Sequence, residues 1–245
     1  MNRTALITGA SRGIGAATAA RLGRRGYHVI VNYRGNETAA RAVVEDIESA
    51  GGTAQAVRAD VREPAEVAEL VAACTRIDVL VCNANIAPTF APLPVMSWAD
   101  FSGKVMGELA AVFHVTQKAL EVMREQRSGQ VVYVSSVVAD LTMPNAVSQA
   151  TAKGALNTFA RQVAAEAGRY GITVNTVSPG IVRTEASSAA QTPEMEAAHA
   201  RNSVLGRLTE PDDVAALITT IAEGGFRAVS GAHIPVDGGF QLVTG

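Results

Sequence analysis

The first residues whose spacing suits chemistry are three glycines near the N-terminus, within Thr8-Gly-Ala-Ser-Arg-Gly-Ile-Gly15. Gly9, Gly13 and Gly15 directly follow a short apolar run and precede a segment of helical periodicity. Glycine permits a tight turn, a close approach of the backbone to a pyrophosphate, and close packing of a helix on a strand. The unpaired N–H groups at the start of that helix would face the anion. The pattern predicts a dinucleotide-binding turn to which Ser11, Arg12 and Ile14 also belong.

The end of the second apolar run indicates which dinucleotide would bind. A carboxylate at that point would hydrogen-bond the adenosine ribose diol of NAD, but the chain reads Asn32-Tyr-Arg34 there. Arg34, together with Arg12 in the glycine-rich turn, could direct guanidinium groups at a 2′-phosphate. We therefore expect the cofactor to be NADP(H).

The elements that must position these residues alternate between short β-branched runs and longer helical segments, which is typical of βαβ units. We predict a Rossmann-like, doubly wound α/β fold with a parallel sheet of about seven strands, formed by residues 1–245 as one domain. Strands are expected at Thr4–Thr8, Tyr27–Asn32, Ala54–Ala59, Val79–Cys82, Val131–Ser135, Ile172–Val177 and Ala232–Val236. Helices are expected at Ile14–Arg25, Glu37–Ala50, Ala65–Thr75, Trp98–Gln126, Ser148–Tyr170 and Asp212–Glu223.

One segment, Arg183–Ser203, has no clear periodicity and is rich in Ala, Ser and acidic residues. It follows Ser178-Pro-Gly180, where the chain leaves the carboxyl end of a predicted strand, and ligands bind at that end of open α/β sheets. A lid over a site and an ordinary surface helix are equally compatible with this segment.

Composition excludes several classes of function. The net charge is −2 and no region is strongly basic, so neither a nucleic acid nor a membrane is expected as a partner. The 2 cysteines and 4 histidines show neither a disulfide framework nor metal-ligand spacing, so no metal is expected. The N-terminal residues lack a signal-peptide or membrane-spanning pattern, which favours a cytoplasmic protein that acts on a small molecule.

Further along, motifs accumulate that resemble the short-chain dehydrogenase/reductase family, especially its 3-oxoacyl-carrier-protein reductase-like branch. They are the glycine-rich turn, Asp60-Val61, Val131-Val-Tyr-Val-Ser-Ser136, Lys153, Asn175-Thr-Val-Ser-Pro-Gly180 with Thr184, Gly206-Arg-Leu-Thr-Glu-Pro211 and Asp237-Gly-Gly239. The resemblance implies an oxidoreductase in which Asp60 and Val61 contact the adenine and Asn83 lies along the adenosine ribose. It further implies that Pro179, Gly180, Val182 and Thr184 surround the nicotinamide, and that the chain forms a homotetramer or homodimer.

The chain departs from this family at the position of the residue that serves as the family's general acid. Reductases of the family use an Asn, a Ser and a Tyr-x-x-x-Lys pair, whose Tyr donates a proton to the substrate oxygen. Ser136 and Lys153 match that pattern, but the Tyr position, four before Lys153, is Gln149. The Asn position is Glu108, and a glycine after the fourth strand is Asn85. We take Ser136, Gln149, Lys153 and Glu108 as the catalytic candidates.

A glutamine amide donates hydrogen bonds but cannot act as a general acid near neutral pH. An iminium ion, or a hemiaminal that loses water to form one, already carries its charge, so its reduction needs no proton donor. We expect Glu108 to face the pocket, where its carboxylate could stabilise that cation or assist the departure of hydroxide. Two alternatives remain. One is a ketone or 3-oxoacyl reductase, or an alcohol dehydrogenase, with a substitute proton donor, for which His199 in the lid is a weaker candidate. The other is an inactive NADP(H)-binding or assembly partner.

Overall fold

A computed structural model describes residues 3–184 and 192–244 of the 245-residue chain. Its centre is a parallel sheet of seven strands in the order β3-β2-β1-β4-β5-β6-β7. The strands are β1 Thr4–Ile7, β2 His28–Tyr33, β3 Thr53–Arg58, β4 Val79–Cys82, β5 Gly129–Val134, β6 Ile172–Pro179 and β7 His233–Val236. The predicted Rossmann-like parallel sheet is therefore confirmed.

Helices cover both faces of the sheet. They are α1 Gly13–Arg24, α2 Glu37–Ser49, α3 Pro64–Ala72, α4 Trp98–Gln126, α5 Val147–Ala167, α6 Pro193–Arg201, α7 Pro211–Thr220 and the short α8 Phe240–Thr244. Helices α3, α4 and α5 pack on one face with Leu6 and Leu80 in the shared core. Helices α1, α2 and α7 pack on the other face, against Ile7 and Val81. Successive strand residues point to opposite faces, which is why these strands are apolar throughout.

The strand order places a crevice at the carboxyl end of the sheet. The chain winds outward from β1 to β2 and β3, then crosses back to β4 on the other side of β1. The loops after β1 and β4 therefore diverge, and such a switch point is where open α/β sheets bind ligands. The glycine-rich turn follows β1, while Asn83 and Asn85 follow β4.

The predicted lid, about residues 183–203, is described only in part, because residues 185–191 lie outside the described residues. The remainder contains α6. Its N-cap residue is Thr192, whose side chain accepts a hydrogen bond from the Met195 N–H. A capped helix was one of the two structures expected there; movement over the site stays a prediction, as does the assignment of residues 1–245 to one domain. No helix among the described residues is both long and apolar enough to cross a membrane.

Candidate functional site

A cavity of about 560 Å³ opens at the switch point, along the carboxyl ends of β1, β2, β4, β5 and β6. Most of the predicted site residues line it: Gly9, Ser11, Arg12, Gly13, Ile14, Arg34, Asp60, Val61, Asn83, Ser136, Gln149, Lys153, Pro179, Gly180, Val182 and Thr184. Of the predicted set, Gly15 and Glu108 do not line the cavity. The structure thus brings residues from across the sequence to one elongated site, whereas their individual roles stay predictions.

The glycine-rich turn has a backbone that side chains would disrupt. Gly9 and Gly13 have φ of +61° and +56°, in the left-handed region that favours glycine. A Cβ on Gly15 would lie 2.6 Å from the Gly9 carbonyl oxygen, so Gly15 serves packing behind the turn and not the cavity wall. Helix α1 begins here without a side-chain cap and without an acidic residue in its first turn. Its N–H groups are therefore suited to a phosphate.

Asn83 fixes the turn from the neighbouring strand. Its Nδ2 donates to the carbonyl oxygens of Thr8 and Gly9, each at 3.0 Å. The Thr8 hydroxyl oxygen accepts in return from the Asn83 and Ala84 N–H groups, also at 3.0 Å. Because both amide protons of Asn83 are bonded to the backbone, its side chain holds the β1 and β4 loops together, in addition to its place in the cavity wall.

One end of the cavity, lined by Arg12, Arg34 and Asp60, is the adenosine end, because the sequence leads us to expect the adenosine there. Its charged groups are mostly basic. Arg12 is exposed, and 64% of the Arg34 side chain is exposed. Asp60 does not carry a free carboxylate, because Arg62 binds it in a bidentate ion pair at 2.5 to 3.2 Å. Those hydrogen bonds lower the pKa of Asp60 to about 2, so it stays ionised and tied to Arg62. Arg34 lies 3.9 Å from an Asp60 oxygen in a looser ion pair, and both Arg12 and Arg34 line the cavity here.

At the opposite end of the cavity lie Ser136, Gln149 and Lys153. Ser136 is the second residue after β5. Its hydroxyl oxygen caps a 3₁₀ turn, Val137–Ala139, by accepting from the Val138 N–H at 3.3 Å. Gln149 and Lys153 are four residues apart on α5, so they lie on one face of the helix and both reach the cavity. The Gln149 Oε1 atom is buried and has no hydrogen-bond partner within the described parts of the chain.

Behind Lys153 lies a buried ionic cluster of Lys104, Glu108 and Lys153. The Glu108 carboxylate, 1% exposed, accepts from Lys153 Nζ at 2.5 Å on one oxygen and from Lys104 Nζ at 2.6 Å on the other. It also accepts from the Ile86 N–H at 3.1 Å. Lys153 Nζ donates a second hydrogen bond to the Val134 carbonyl oxygen at 2.9 Å. An ammonium has three N–H donors, so one donor of Lys153 remains for a ligand in the cavity.

The pKa values in this cluster follow from burial and charge together. Burial opposes ionisation of Glu108, but the ammonium groups of Lys153 and Lys104 outweigh it and hold the pKa of the carboxyl below its ordinary value. Burial lowers the pKa of Lys104 to about 8, with Glu108 opposing the shift and Lys153 adding to it. Glu108 is thus an anion at all physiological pH values, whereas Lys104 titrates near the upper end of that range.

One expectation from the sequence needs correction. Glu108 does not face the pocket, because both of its oxygens are held by lysines behind the cavity wall, so it cannot contact a substrate cation. Asn85 does not adopt a left-handed backbone, since Arg127 and Asn145 are the non-glycine residues of positive φ in the described chain. Its Oδ1 instead accepts from Lys104 at 2.9 Å.

Lys104 was missed by the sequence analysis. A lysine on a long helix is usually solvated, but Lys104 and Glu108 are four residues apart, the spacing of a helical ion pair. That spacing was the one indication in the sequence. The burial of Lys104 depends on how α4 packs against α5, so it could not be inferred from the sequence. The histidine weighed as a substitute acid, His199, does not line the cavity. No group of three or more potential metal-binding side chains occurs in residues 3–184 and 192–244.

Comparisons with known proteins agree with this geometry. Residues 9–241 match a family model described as enoyl-(acyl carrier protein) reductase. An uncharacterized oxidoreductase of Methylorubrum extorquens is 38% identical, over 98% of each chain. A 3-oxoacyl-[acyl-carrier-protein] reductase of Synechocystis is 36% identical, over 98% of this chain and 97% of that protein.

Solved structures give the same result. Levodione reductase superposes with a TM-score of 0.94 at 28% identity, over 98% of both chains. The promiscuous reductase LugOII, which catalyses a keto-reduction in lugdunomycin biosynthesis, superposes with a TM-score of 0.89 at 34% identity, over 97% of both chains. Sheet order, cavity and both sets of matches lead to one conclusion: the chain belongs to the short-chain dehydrogenase/reductase family, oxidoreductases that use a nicotinamide dinucleotide.

Proposed function

We propose that this protein is an NADP(H)-dependent reductase that acts on a C=N bond, taking as substrate an iminium ion or a hemiaminal that loses hydroxide to form one. The observation that carries the proposal is Gln149, which occupies the position of the family's acid in the cavity wall and whose amide oxygen is buried without a hydrogen-bond partner among the described residues. Among the described residues that line the cavity near Ser136 and Gln149, Lys153 is the one with a titratable side chain.

The chemistry of the two substrate classes differs in its demand for a proton. When bound, the reduced dinucleotide supplies a hydride. A ketone that gains a hydride becomes an alkoxide and must be protonated, whereas an iminium ion becomes a neutral amine and needs no proton at the reacting centre. A site whose acid is replaced by an amide is therefore matched to the second class.

Gln149 also offers a contact that selects such a substrate. A buried carbonyl oxygen without a hydrogen bond is costly, and a rotation of the Gln149 side chain toward the cavity would let a ligand N–H satisfy it. A protonated imine carries an N–H donor beside the reacting carbon.

A second candidate is reduction of a ketone with Lys153 as the proton source. It is favoured by the remaining N–H of Lys153 at the cavity wall, and by relatives that are named as 3-oxoacyl reductases or as a keto-reductase. Lys153 would have to serve without the tyrosine that stands between lysine and substrate elsewhere in the family, so we rank this candidate second.

The test is NADPH consumption with two substrates, a cyclic ketone and a cyclic imine of the same ring size. We expect turnover of the imine to exceed that of the ketone by at least about 10²-fold, the usual contribution of a general acid. Equal or faster ketone turnover would support the second candidate. Binding of NADPH without turnover of either substrate would instead indicate a catalytically inactive dinucleotide-binding protein.

We further propose that NADP(H) is preferred over NAD(H), because Arg12 and Arg34 line the adenosine end where the Asp60 carboxylate is already bound by Arg62. Replacing either Arg12 or Arg34 by glutamine is expected to weaken NADPH binding about tenfold, since each removes a charge-assisted hydrogen bond at an exposed position. NADH binding should change less than twofold. Titration of ligand fluorescence measures both constants.

The control for that experiment is Arg41→Gln. Arg41 is another exposed arginine, on α2, and it pairs with Glu37 at 2.6 Å outside the cavity. Its replacement should leave both dinucleotides unaffected. Parallel losses of NADPH and NADH affinity in the Arg12 and Arg34 variants would show that neither guanidinium recognises the 2′-phosphate.

We also propose self-association, as the family resemblance implies. Large apolar side chains are exposed on α4 and at the C-terminal end, including Trp98, Met106, Phe113, Leu242 and Val243. Exposed apolar groups of this size are typical of surfaces that contact another protein chain.

A further inference from the structure

Two of the residues by which this chain departs from its family, Asn85 and Glu108, are joined to each other through Lys104. Lys104 Nζ donates to Asn85 Oδ1 at 2.9 Å, to the Ile86 carbonyl oxygen at 2.7 Å and to Glu108 Oε2 at 2.6 Å. Glu108 in turn binds Lys153, which lines the cavity. A chain of polar contacts therefore runs from the β4 loop through α4 to the lysine at the nicotinamide end.

Lys104 itself cannot contact a ligand in the cavity. Its three N–H donors are all bonded within the cluster, and its side chain is 1% exposed. Its burial is costly, because an ammonium at that depth requires compensation by hydrogen bonds and an anion. Its effect on the site must pass through Glu108.

We propose that Lys104 is a positioning residue that sets the charge and the free hydrogen-bonding capacity of Lys153. With Lys104 in place, Glu108 divides its two oxygens between two ammonium groups, and Lys153 keeps one N–H for the cofactor. The three residues then carry a net charge of +1, as a lone lysine would. Without the Lys104 charge, Glu108 would hold Lys153 alone, and the net charge beside the anionic dinucleotide would fall to zero.

The proposal predicts a pH dependence of cofactor binding. The charged groups that face Lys104 are Glu108 on its own helix and Lys153 on α5, and the β4 loop contributes the neutral Asn85 amide and the Ile86 carbonyl. Since burial lowers the pKa of Lys104 to about 8, its charge is present below that pH and lost above it. NADPH binding should therefore weaken about tenfold between pH 7 and about pH 9.5, with loss of one proton. The 2′-phosphate titrates near pH 6 and does not contribute there.

The experiment measures the dissociation constant of NADPH against pH for the full-length protein and three variants. Lys104→Met should bind about tenfold more weakly at pH 7 than the unaltered protein and show no change up to about pH 9.5. The double replacement Lys104→Met with Glu108→Gln removes both charges, frees Lys153, and should restore the pH 7 affinity, again without pH dependence. Lys118→Met is the matched control, because Lys118 is also on α4 but is exposed and pairs with Glu121 at 3.0 Å.

These outcomes separate positioning from mere structural support. A purely structural role would lower the stability of Lys104→Met but would not make its affinity coincide with that of the unaltered protein at high pH. A flat pH profile in the unaltered protein, or unchanged affinity in Lys104→Met, would overturn the proposal. If Lys104→Met does not fold, the unaltered protein and the double variant still decide it. The inference rests on the proposed NADP(H) dependence but not on the C=N substrate, so failure of the substrate test leaves the binding profile unaffected.

Discussion

Replacing Gln149 by tyrosine is expected to raise the rate of ketone reduction by at least about 10²-fold, because it restores a general acid whose contribution is typically about 10²–10⁴-fold. Gln149 lines the cavity four residues before Lys153 on the same face of α5, so a tyrosine there would direct its hydroxyl toward the same end. We expect the lower end of that range. Two of the three Lys153 N–H donors are already bonded to Glu108 and to the Val134 carbonyl oxygen, so one remains for the new tyrosine and the cofactor together.

The matched control is Gln149→Phe, which adds the same ring without the hydroxyl. Steady-state NADPH oxidation with a ketone and with an imine of the same shape should show a gain for the ketone in Gln149→Tyr alone. Imine reduction should fall in both variants, because both remove the amide oxygen that we expect to accept the substrate N–H. An equal gain in Gln149→Phe would mean that cavity shape, not proton donation, limits the reduction of ketones.

Replacing Glu108 by glutamine is expected to lower the free energy of unfolding by about 3 kcal/mol, since it leaves two buried ammonium groups without their anion. Burial already lowers the pKa of Lys104 to about 8, so Lys104 can release its proton in the variant. That release places the expected cost at the low end of the range for broken buried pairs. Urea unfolding at pH 7 measures the effect, and its dependence on pH should show the variant recovering as the pH rises.

Glu121→Gln on the same helix provides the comparison. Its carboxylate is 57% exposed and pairs with Lys118 at 3.0 Å, an exposed ion pair of a kind that contributes less than about 1 kcal/mol. Similar losses in Glu108→Gln and Glu121→Gln would contradict the interpretation of Lys104, Glu108 and Lys153 as one coupled ionic cluster.

The sheet and the cofactor end were predictable because their signals are local. Strands such as Val79–Cys82 are buried on both faces and therefore apolar throughout, so their run of residues is visible in the sequence. Gly9 and Gly13 adopt positive φ, which explains their residue type from backbone geometry alone. The spacing of Ser136, Gln149 and Lys153 along the chain is likewise visible in the sequence.

The ionic cluster could not be predicted in the same way. Whether Glu108 points toward the cavity or away from it depends on the rotation of α4 against α5, which no short-range pattern in the sequence specifies. From the sequence we expected the Glu108 carboxylate near the reacting centre. In the structure it is paired with Lys104 and Lys153. The role of Asn85 likewise depends on a residue nineteen positions away, Lys104.

The most direct test of hydride transfer to a C=N bond uses NADPH that carries deuterium at both positions of the nicotinamide C4, together with a protonated cyclic imine. We expect the amine product of the unaltered protein to carry one deuterium atom by mass spectrometry, and the ketone of the same shape to give little labelled alcohol. Efficient labelling of the alcohol together with an unlabelled amine would contradict the proposed substrate class and assign this site to carbonyl reduction.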